Sequence, residues 1–283
     1  MDDDRSELQT CAAQVRRHDY DRFLTALFAP AAARQHLFAL YAFNLEVAKI
    51  PEIVSEFMLG QIRLQWWRES IEGIYAGSPR RHEVVTPLAQ AVQACGLTRA
   101  HFDRLIDARE ADLSSEPPRR LEDLEAYAEA TSSTLVWLAL EILGATDRPT
   151  QEAGRHLGVA WALTGLLRAL PFHSHARRCY LPGDLCRRAG LDLEDLFRLE
   201  STPALATVVQ EVSALANENL RQLRARAPGL PAAARPALLP ASLAARYLVL
   251  LERTGHDPFD VRFQALQGGK AWRLLWAWVT GRL

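Results

Sequence analysis

Apolar residues recur with helical spacing along almost the whole length of this chain. One helix face carries, at positions i, i+3, i+4, i+7 and i+11, the residues Leu37, Leu40, Tyr41, Asn44 and Ala48. No run of alternating β-branched residues is long enough to indicate a strand. No internal repeat and no linker-like change of composition divides the 283 residues. The pattern therefore predicts a single all-α domain over residues 1–283.

Proline, glycine and capping residues set the expected helix bounds. Pro30 and Pro51 frame the helix just described, and Gly77, Gly96 and Gly144 end later ones. The spacing predicts further helices over residues 53–75, 87–94, 98–113, 121–143, 151–170, 191–199, 204–226, 232–253, 258–266 and 270–280, with a loop over 171–190. Residues 157–167 carry no charge, which is typical of a helix at the centre of a bundle.

Charge and cysteine content exclude several classes of protein. The chain has 33 Lys and Arg against 34 Asp and Glu, so we expect no nucleic-acid partner. Its four cysteines form no CxxC pair, which argues against a zinc site and predicts reduced thiols in a cytosolic compartment.

The N-terminus lacks an apolar signal region, and the longest apolar stretches are shorter than the roughly 20 residues of a spanning helix. We expect a protein of the bacterial cytoplasm that is soluble or at most peripheral to a membrane.

The chain ends in an amphipathic segment over residues 268–283 that is rich in Trp. Its apolar stripe consists of Trp272, Leu275, Trp276, Val279 and Leu283, and its positive charges are Lys270, Arg273 and Arg282. Tryptophan with basic flanks fits a helix that lies in a membrane interface. We prefer the alternative that the Trp face docks onto the bundle, because a short amphipathic helix needs a surface to cover it.

Four segments of the chain resemble, in the same order, the squalene/phytoene synthase family. They read LFALYAFNLEVAKIPEIVSE, LQWWRESIEGIYAG, LEDLEAYAEATSSTLVWLALEILG and HLGVAWALTGLLRALPFHSHARRCYLP, within about residues 20–196. The resemblance implies an isoprenoid-synthase-type helical bundle around a deep central cavity, with two Asp-rich motifs facing each other. In the family's enzymes these carboxylates hold Mg²⁺, which neutralises a departing diphosphate.

Both Asp-rich motifs are degenerate in this chain. In the first, the resemblance places Ala48 and Lys49 at the Asp positions and Glu52 at the i+4 carboxylate position. In the second, Ala169 and His173 occupy the two Asp positions. The resemblance therefore implies no catalytic residues, no metal ligands and no cofactor here. Mg²⁺ is expected only if the chain is nevertheless an enzyme.

Positive charge replaces the carboxylates around the second motif. The candidate anion-binding residues are Arg168, His173, His175, Arg177 and Arg178. A metal-free anion, such as a phosphate, a lipid headgroup or a partner's carboxylate, suits such a set, although the charges can equally form a solvated face. By the same resemblance, the residues expected to line the cavity are Tyr41, Asn44 and Gly165.

Three other sets of polar and aromatic residues also carry an expectation. Asp19 and Asp21 stand where the family's enzymes carry a Ser- and Phe-containing stretch near the diphosphate, and two acids there would repel that group. An exposed helix face, rather than a carboxylate cluster, is the preferred interpretation of Asp107, Glu110 and Asp112. The helical core is the expected place of Trp66, Trp67, Trp137 and Trp161.

Within the family, one non-catalytic branch has the same strings at the degenerate positions, and its members help to assemble respiratory NADH:ubiquinone oxidoreductase (complex I). The strings are Val54-Ser55-Glu56 and Leu167-Arg168-Ala169-Leu170-Pro171-Phe172-His173. The resemblance implies a non-catalytic helper in complex I assembly that acts at the inner face of the membrane. Its implied partners are complex I subunits or assembly proteins, with a lipid or prenyl ligand in the old cavity.

Two other functions stay open. The first is an active Mg²⁺-dependent head-to-head prenyl transferase, a phytoene or squalene synthase, with one metal held by Glu52 and by Asp107, Glu110 or Asp112. The second is a peripheral lipid-binding protein that the C-terminal helix anchors.

Overall fold

The computed structural model describes residues 2–54, 56–264 and 268–282, and only the backbone of residues 2–6 and 8. Every regular element in these ranges is a helix, which confirms the all-α prediction. The helices are α1 Asp2–His18, α2 Tyr20–Ala26, α3 Ala31–Ala48, α4 Ile50–Ile53, α5 Phe57–Tyr75, α6 Val85–Cys95, α7 Arg99–Ala108, α8 Leu121–Ala128, α9 Thr134–Ile142, α10 Arg148–Arg168, α11 Leu170–His175, α12 Gly183–Ala189, α13 Leu193–Phe197, α14 Pro203–Arg226, α15 Arg235–Leu238, α16 Pro240–Arg253, α17 Val261–Gln264 and α18 Lys270–Thr280. Two 3₁₀ turns, Arg109–Leu113 and Ala232–Ala234, and one π-helical turn, Glu129–Ser133, continue neighbouring helices.

Helix α10 is the central helix, as its uncharged stretch predicts. It packs against α8, α9, α14 and α16, and Leu157 and Leu163 are fully buried. Gly158 lets the π-helical turn approach α10 so closely that a Cβ added there would lie 2.3 Å from the Cα of Ser133. The Ser133 hydroxyl donates to the carbonyl oxygen of Arg155 at 2.8 Å. This close packing therefore requires a small residue at position 158.

Two helices precede Pro30, where the sequence analysis placed none. Helix α1 packs against α3 and α6 and buries Cys11 and Val15. Asp19 caps α2 by accepting the backbone N–H of Arg22 at 3.0 Å. Few apolar residues face the core from this polar segment, so the apolar spacing does not reveal the two helices.

The loop predicted over residues 171–190 is wrong, because α11 and α12 lie in it. Pro171 is in the first turn of α11, where its missing N–H costs no hydrogen bond, and Gly190 ends α12 with a φ of 70°. The helix predicted over residues 53–75 begins only at Phe57, as α5. The predicted helix 121–143 is divided by the π-helical turn into α8 and α9, and the predicted helix 232–253 is divided into a 3₁₀ turn, α15 and α16. Part of the predicted helix 258–266 falls on residues 265–267, which lie outside the described residues.

The long apolar segment Ala232–Arg253 passes the length and composition test for a membrane span. It contains the second 3₁₀ turn, α15 and α16, and 78% of the tested window is buried inside the bundle. Because α16 packs against α10, α14 and α18, this segment has the surroundings of a core helix.

Only one of the four tryptophans expected in the core is fully buried. Trp67 is 3% exposed, and its ring contacts Phe43 at 5.2 Å between centroids. The three that are half-buried are Trp66, Trp137 and Trp161. The Trp137 indole N–H donates to the carbonyl oxygen of Gln151 at 2.8 Å, since a buried indole needs a hydrogen-bond acceptor.

The preference for docking the Trp face of α18 onto the bundle is wrong. Helix α18 packs against α2 and α16 through the opposite face, where Leu274 and Ala277 are buried. Trp272 and Trp276 are 76% and 66% exposed. Trp278 is half-buried against Phe28, and Leu283 of the predicted stripe lies outside the described residues.

A buried charge cluster holds the start of α18 in place. Asp21 of α2 is 5% exposed, and its Oδ1 accepts the ammonium group of Lys270 at 2.7 Å. Its Oδ2 accepts the Tyr247 hydroxyl at 2.8 Å and the Arg168 guanidinium at 3.3 Å. The Arg168 guanidinium carbon lies 3.8 Å from the centroid of the Tyr247 ring. Two cations and a hydroxyl thus neutralise Asp21, so the expected repulsion of a diphosphate does not apply to it.

We predict that Gly158→Ala destabilises the protein by about 1–3 kcal/mol, because a methyl group there overpacks the contact with the π-helical turn. Gly165→Ala, in the same helix, is the matched control. Nothing lies within 4 Å of its added Cβ, so the helix propensity of Ala should leave stability unchanged or raise it by up to about 1 kcal/mol. Urea unfolding followed by circular dichroism measures both, and equal losses at the two positions would contradict the packing argument.

Candidate ligand site

The two degenerate motifs meet at one cavity of about 450 Å³. Ala48 and Glu52 come from the first motif and His173 from the second. The other lining residues are Pro51, Arg109, Asp112, Tyr127, Leu166, Phe172, Ala176, Arg178 and Tyr180. Helix α3 ends before Pro51 and α10 ends before Pro171, so both motifs reach the cavity at helix breaks.

Asp112 is the central group of the cavity wall, and its interpretation as part of an exposed face is wrong. It is 2% exposed, because the 3₁₀ turn that follows α7 directs it inward. Its Oδ1 accepts the hydroxyls of Tyr127 at 2.7 Å and Tyr180 at 3.0 Å, and its Oδ2 accepts the Arg109 guanidinium at 3.0 Å. These four groups form a closed network that we call the Asp112 network.

The other two acids of that segment are exposed, as predicted. Asp107 and Glu110 both bind the Arg68 guanidinium, at 2.9 Å and 2.6 Å, on the outer surface. They therefore do not reach the cavity. The carboxylates that line it are Glu52, which is exposed at its rim, and Asp112.

The cavity does not fit a magnesium–diphosphate assembly. Both oxygens of Asp112 already accept hydrogen bonds, and a guanidinium occupies the place of a cation beside it. Across the ranges that the structure describes, no group of three His, Cys, Asp or Glu side chains is spaced to hold a metal ion. Mg²⁺ prefers several oxygen ligands at short distance, which this wall does not offer.

Burial keeps the ring groups of the cavity in their neutral forms. It is the main cause that raises the pKa of Tyr127 and of Tyr180, and the charge of Asp112 raises both further. Burial also lowers the pKa of His173 to about 4. The His173 ring packs on Tyr180 with 4.7 Å between centroids. His173 is therefore neutral near pH 7 and adds no positive charge to the cavity.

The structure does not bring the five candidate anion-binding residues together, which corrects their grouping into one site. His173 and Arg178 line the cavity, whereas Arg168 faces Asp21. Arg177 forms an ion pair with Glu194 at 2.5 Å and its guanidinium lies over the Phe197 ring. The fifth, His175, is exposed on α11. Each arginine has found a partner distant in sequence, which the local charge run does not reveal.

Arg178 links two backbone segments at the edge of the cavity. Its guanidinium donates to the backbone oxygen of Asp112 and, at 3.5 Å, to that of Pro51. It thereby links the 3₁₀ turn to α4, across the mouth of the cavity.

The residues expected to line a deep central cavity lie elsewhere. Tyr41 borders a void of about 10 Å³ between α3, α9 and α10, which has room for one water at most. Asn44 is 6% exposed, and its Oδ1 has no hydrogen-bond partner among the described residues. Gly165 faces open space but does not line the 450 Å³ cavity, and neither do Lys49 and Ala169. The space beside Tyr41 is too small for a prenyl chain.

Three polar residues of the cavity escaped the sequence analysis as site residues. Tyr180 stands in the intact Arg178-Cys179-Tyr180-Leu181-Pro182 string, so that string could have indicated it. Arg109 and Tyr127 have no local signal, because a 3₁₀ turn and a helix separated by a loop bring them together.

An all-α bundle with a cavity between two facing helical motifs is an isoprenoid-synthase-type fold. The chain belongs to the squalene/phytoene synthase family, whose profile matches residues 15–276.

Known relatives and structures agree with this assignment. The chain is 35% identical to "NADH dehydrogenase (ubiquinone) complex I, assembly factor 6" from Bos taurus and 34% identical to that from Homo sapiens, covering 90% of this chain and 76% of each relative. It is 27% identical to presqualene diphosphate synthase from Rhodopseudomonas palustris, over 63% of this chain and 64% of the enzyme. A crystal structure of a dehydrosqualene synthase superposes with a TM-score of 0.86 at 18% identity, over 99% of this chain and 98% of that one, which shows the shared fold.

We predict that Asp112→Asn destabilises the protein by about 2–4 kcal/mol, since it leaves the Arg109 guanidinium without its buried counter-charge. Asp107→Asn removes the same charge from the exposed surface and should leave the midpoint of unfolding unchanged. Thermal and urea unfolding of the two variants measure the difference. If the two variants are equally stable, the Asp112 network does not hold the cavity wall.

We predict that the protein loses stability as the pH falls from about 6.5 towards 4, through His173. The unfolded chain binds a proton at this histidine near its ordinary pKa, whereas burial lowers the folded pKa to about 4. The contribution of His173 to the free energy of unfolding is therefore complete above pH 6.5. It declines below that pH, by about 1–3 kcal/mol in total. Urea unfolding of wild type and His173→Gln at pH 7.5 to 4.5 measures this, and the variant should lack that share of the decline.

Proposed function

We propose that this protein is a non-catalytic helper in the assembly of respiratory NADH:ubiquinone oxidoreductase (complex I). The observation that carries the proposal is the Asp112 network, in which the protein's own arginine and tyrosines occupy the buried carboxylate of the cavity where the two degenerate motifs meet. The relatives named as complex I assembly factors match 90% of the chain, whereas the presqualene diphosphate synthase matches 63%. A chain that keeps the fold but lacks the aspartates of both motifs is suited to binding another molecule rather than to catalysis.

An exposed apolar face beside the cavity supports the binding role. Ile53, Phe57, Met58 and Ile62 are each more than half exposed, and Leu59 is 45% exposed. Met58, Leu59 and Ile62 share one side of α5 by helical spacing. Contiguous exposed apolar side chains of this kind mark interaction sites. Glu52 and Glu56 adjoin this α4–α5 face, so we propose that a complex I subunit or assembly protein with a basic rim binds there.

The cavity itself is a place for a small ligand or a partner's side chain. The Nε of Arg109 is buried and has no hydrogen-bond partner in the described parts of the chain. The rim beside it carries Phe172, 54% exposed, and Pro51. A carboxylate or phosphate oxygen placed there would complete the hydrogen bonds of Arg109. We therefore propose that the cavity binds such an anionic group. We also propose that the protein acts at the cytoplasmic face of the membrane.

Deletion of the gene should lower NADH oxidation by isolated membranes, and a plasmid copy should restore it. A copy with Met58→Glu and Ile62→Glu should fail to restore it, because two charges on the α4–α5 face oppose apolar contact with a partner. Val249→Glu, which charges an apolar residue 47% exposed on α16, is the control and should restore activity. The thermal midpoints of all variants are compared first. Normal NADH oxidation in the deletion strain, with an altered carotenoid or hopanoid profile, would overturn the assembly role.

Purified protein should release no pyrophosphate from farnesyl or geranylgeranyl diphosphate in the presence of Mg²⁺, because both oxygens of Asp112 already accept hydrogen bonds and Glu52 alone offers too few ligands for the metal. A pyrophosphate-coupled assay beside an active squalene synthase measures this. Sustained turnover would instead support the second candidate, a prenyl transferase.

A further inference from the structure

The outer face of α18 is an apolar stripe without a cover in the fold. Trp272, Trp276 and Val279 are 76%, 66% and 72% exposed, and Leu275 is 42% exposed. Their spacing places them along one side of a helix of 11 residues, about 16 Å long. Two exposed indoles on one short helix are unusual for a surface that faces only water.

An arginine-lined groove lies directly behind this stripe. It measures about 590 Å³ and opens between the end of α14, residues 228–231, α15 and the end of α18. Arg224, Arg235 and Arg282 line it, together with the half-buried Trp278. No acidic side chain is among its lining residues within the part of the chain that the structure describes. The groove adjoins α18 through Ala277, Trp278 and residues 280–282, so it lies next to the stripe at the C-terminal end of the helix.

Further positive charge surrounds the groove. Burial, and after it the charges of Arg246 and Arg224, lower the pKa of the Arg273 guanidinium, which donates to the Ser242 carbonyl at 2.6 Å. The C-terminal ends of α14 and α18 also face the groove, and each carries about half a negative charge. Together they offset about one unit charge, less than the two that Arg235 and Arg282 supply, so the groove stays positive.

Indoles beside arginines match the boundary of an anionic bilayer. Tryptophan is enriched at the depth of the headgroups, and a guanidinium binds phosphate oxygens with two parallel hydrogen bonds. A helix of 11 residues is too short to span a membrane and lies in the interface instead. The α4–α5 face has Glu52 and Glu56 beside it together with Arg63, whereas the described lining residues of the groove include no acidic side chain, so charge complementarity favours α18 for an anionic surface.

We propose that the outer face of α18 and the arginine groove behind it bind a bilayer that contains anionic phospholipids. The indoles of Trp272 and Trp276 enter the headgroup region, and Arg235 and Arg282 bind lipid phosphates. The Lys270–Asp21 contact fixes α18 on the bundle, so the bundle itself is held at the membrane. This inference deepens the location included in the proposed function, but its test does not depend on the assembly role.

Sedimentation of the full-length protein with sucrose-loaded vesicles tests the proposal. The vesicles consist of phosphatidylcholine alone or with 30% phosphatidylglycerol. We expect at least tenfold tighter binding to the anionic vesicles, weakened by salt. Brominated lipids in the same vesicles should quench tryptophan fluorescence. Equal binding to both kinds of vesicle, or none to either, would overturn the proposal.

Two pairs of substitutions assign the binding to this surface. Trp272→Ser with Trp276→Ser should reduce binding about tenfold or more, and because both side chains are exposed the fold should persist. Arg235→Gln with Arg282→Gln should remove most of the preference for anionic vesicles. Arg187→Gln with Arg188→Gln changes the net charge equally on exposed α12 and should bind like wild type.

The outcomes separate a lipid from other anions and from a protein partner. Ten millimolar inorganic phosphate should not displace the protein from vesicles beyond the effect of equal ionic strength, and specific displacement would overturn the lipid assignment. If the Trp pair abolishes rescue of NADH oxidation while vesicle binding is absent in wild type, the surface binds a protein and the proposal is wrong. If vesicles bind as expected and the deletion strain is normal, the membrane site stands and the assembly role fails.

Discussion

The cavity of this protein depends on how one buried carboxylate is neutralised. Asp112 is surrounded by an arginine and two tyrosine hydroxyls, so its charge is compensated by the protein itself. A buried charge that lost these partners would destabilise the fold by several kcal/mol. The same contacts join the 3₁₀ turn after α7 to α8 and to the segment after α11. Arg178 extends the connection to α4. The wall where the two degenerate motifs meet is thus held together by internal hydrogen bonds.

The fold can survive this exchange because packing and chemistry reside in different residues. The core of α10 rests on Leu157, Leu163 and the close approach at Gly158, none of which belongs to the degenerate motifs. The motif positions lie at helix ends, where substitution changes charge without disturbing the interior. Beside Tyr41, the side chains leave a void of only about 10 Å³ between α3, α9 and α10. A dehydrosqualene synthase can therefore share the fold at 18% identity.

The molecule has two exposed apolar faces, and the charged residues beside them differ. The α4–α5 face lies beside Glu52 and Glu56, and the α18 face lies beside a groove of arginines. The buried contact of Lys270 with Asp21 determines which side of α18 faces outward. Because the charges beside the two faces differ, we propose a different partner for each. A protein that binds a client on one face and a membrane on another can bring the two together.

The sequence by itself determined the all-α class, the central place of α10 and, through the resemblance to the family, the loss of Asp from both motifs, where Glu52 is the one acidic residue left. These follow from residue identity and from the period of apolar residues, which are local properties. Tertiary structure alone decided that Asp112 faces inward and that α18 presents its tryptophans outward. The tertiary structure also separates the candidate anion-binding residues, because Arg168 pairs with Asp21, which is 147 residues away in the sequence. The physical reason is that the periodicity records how apolar a helix face is, whereas charge pairing and helix docking depend on side chains that only the folded chain brings together.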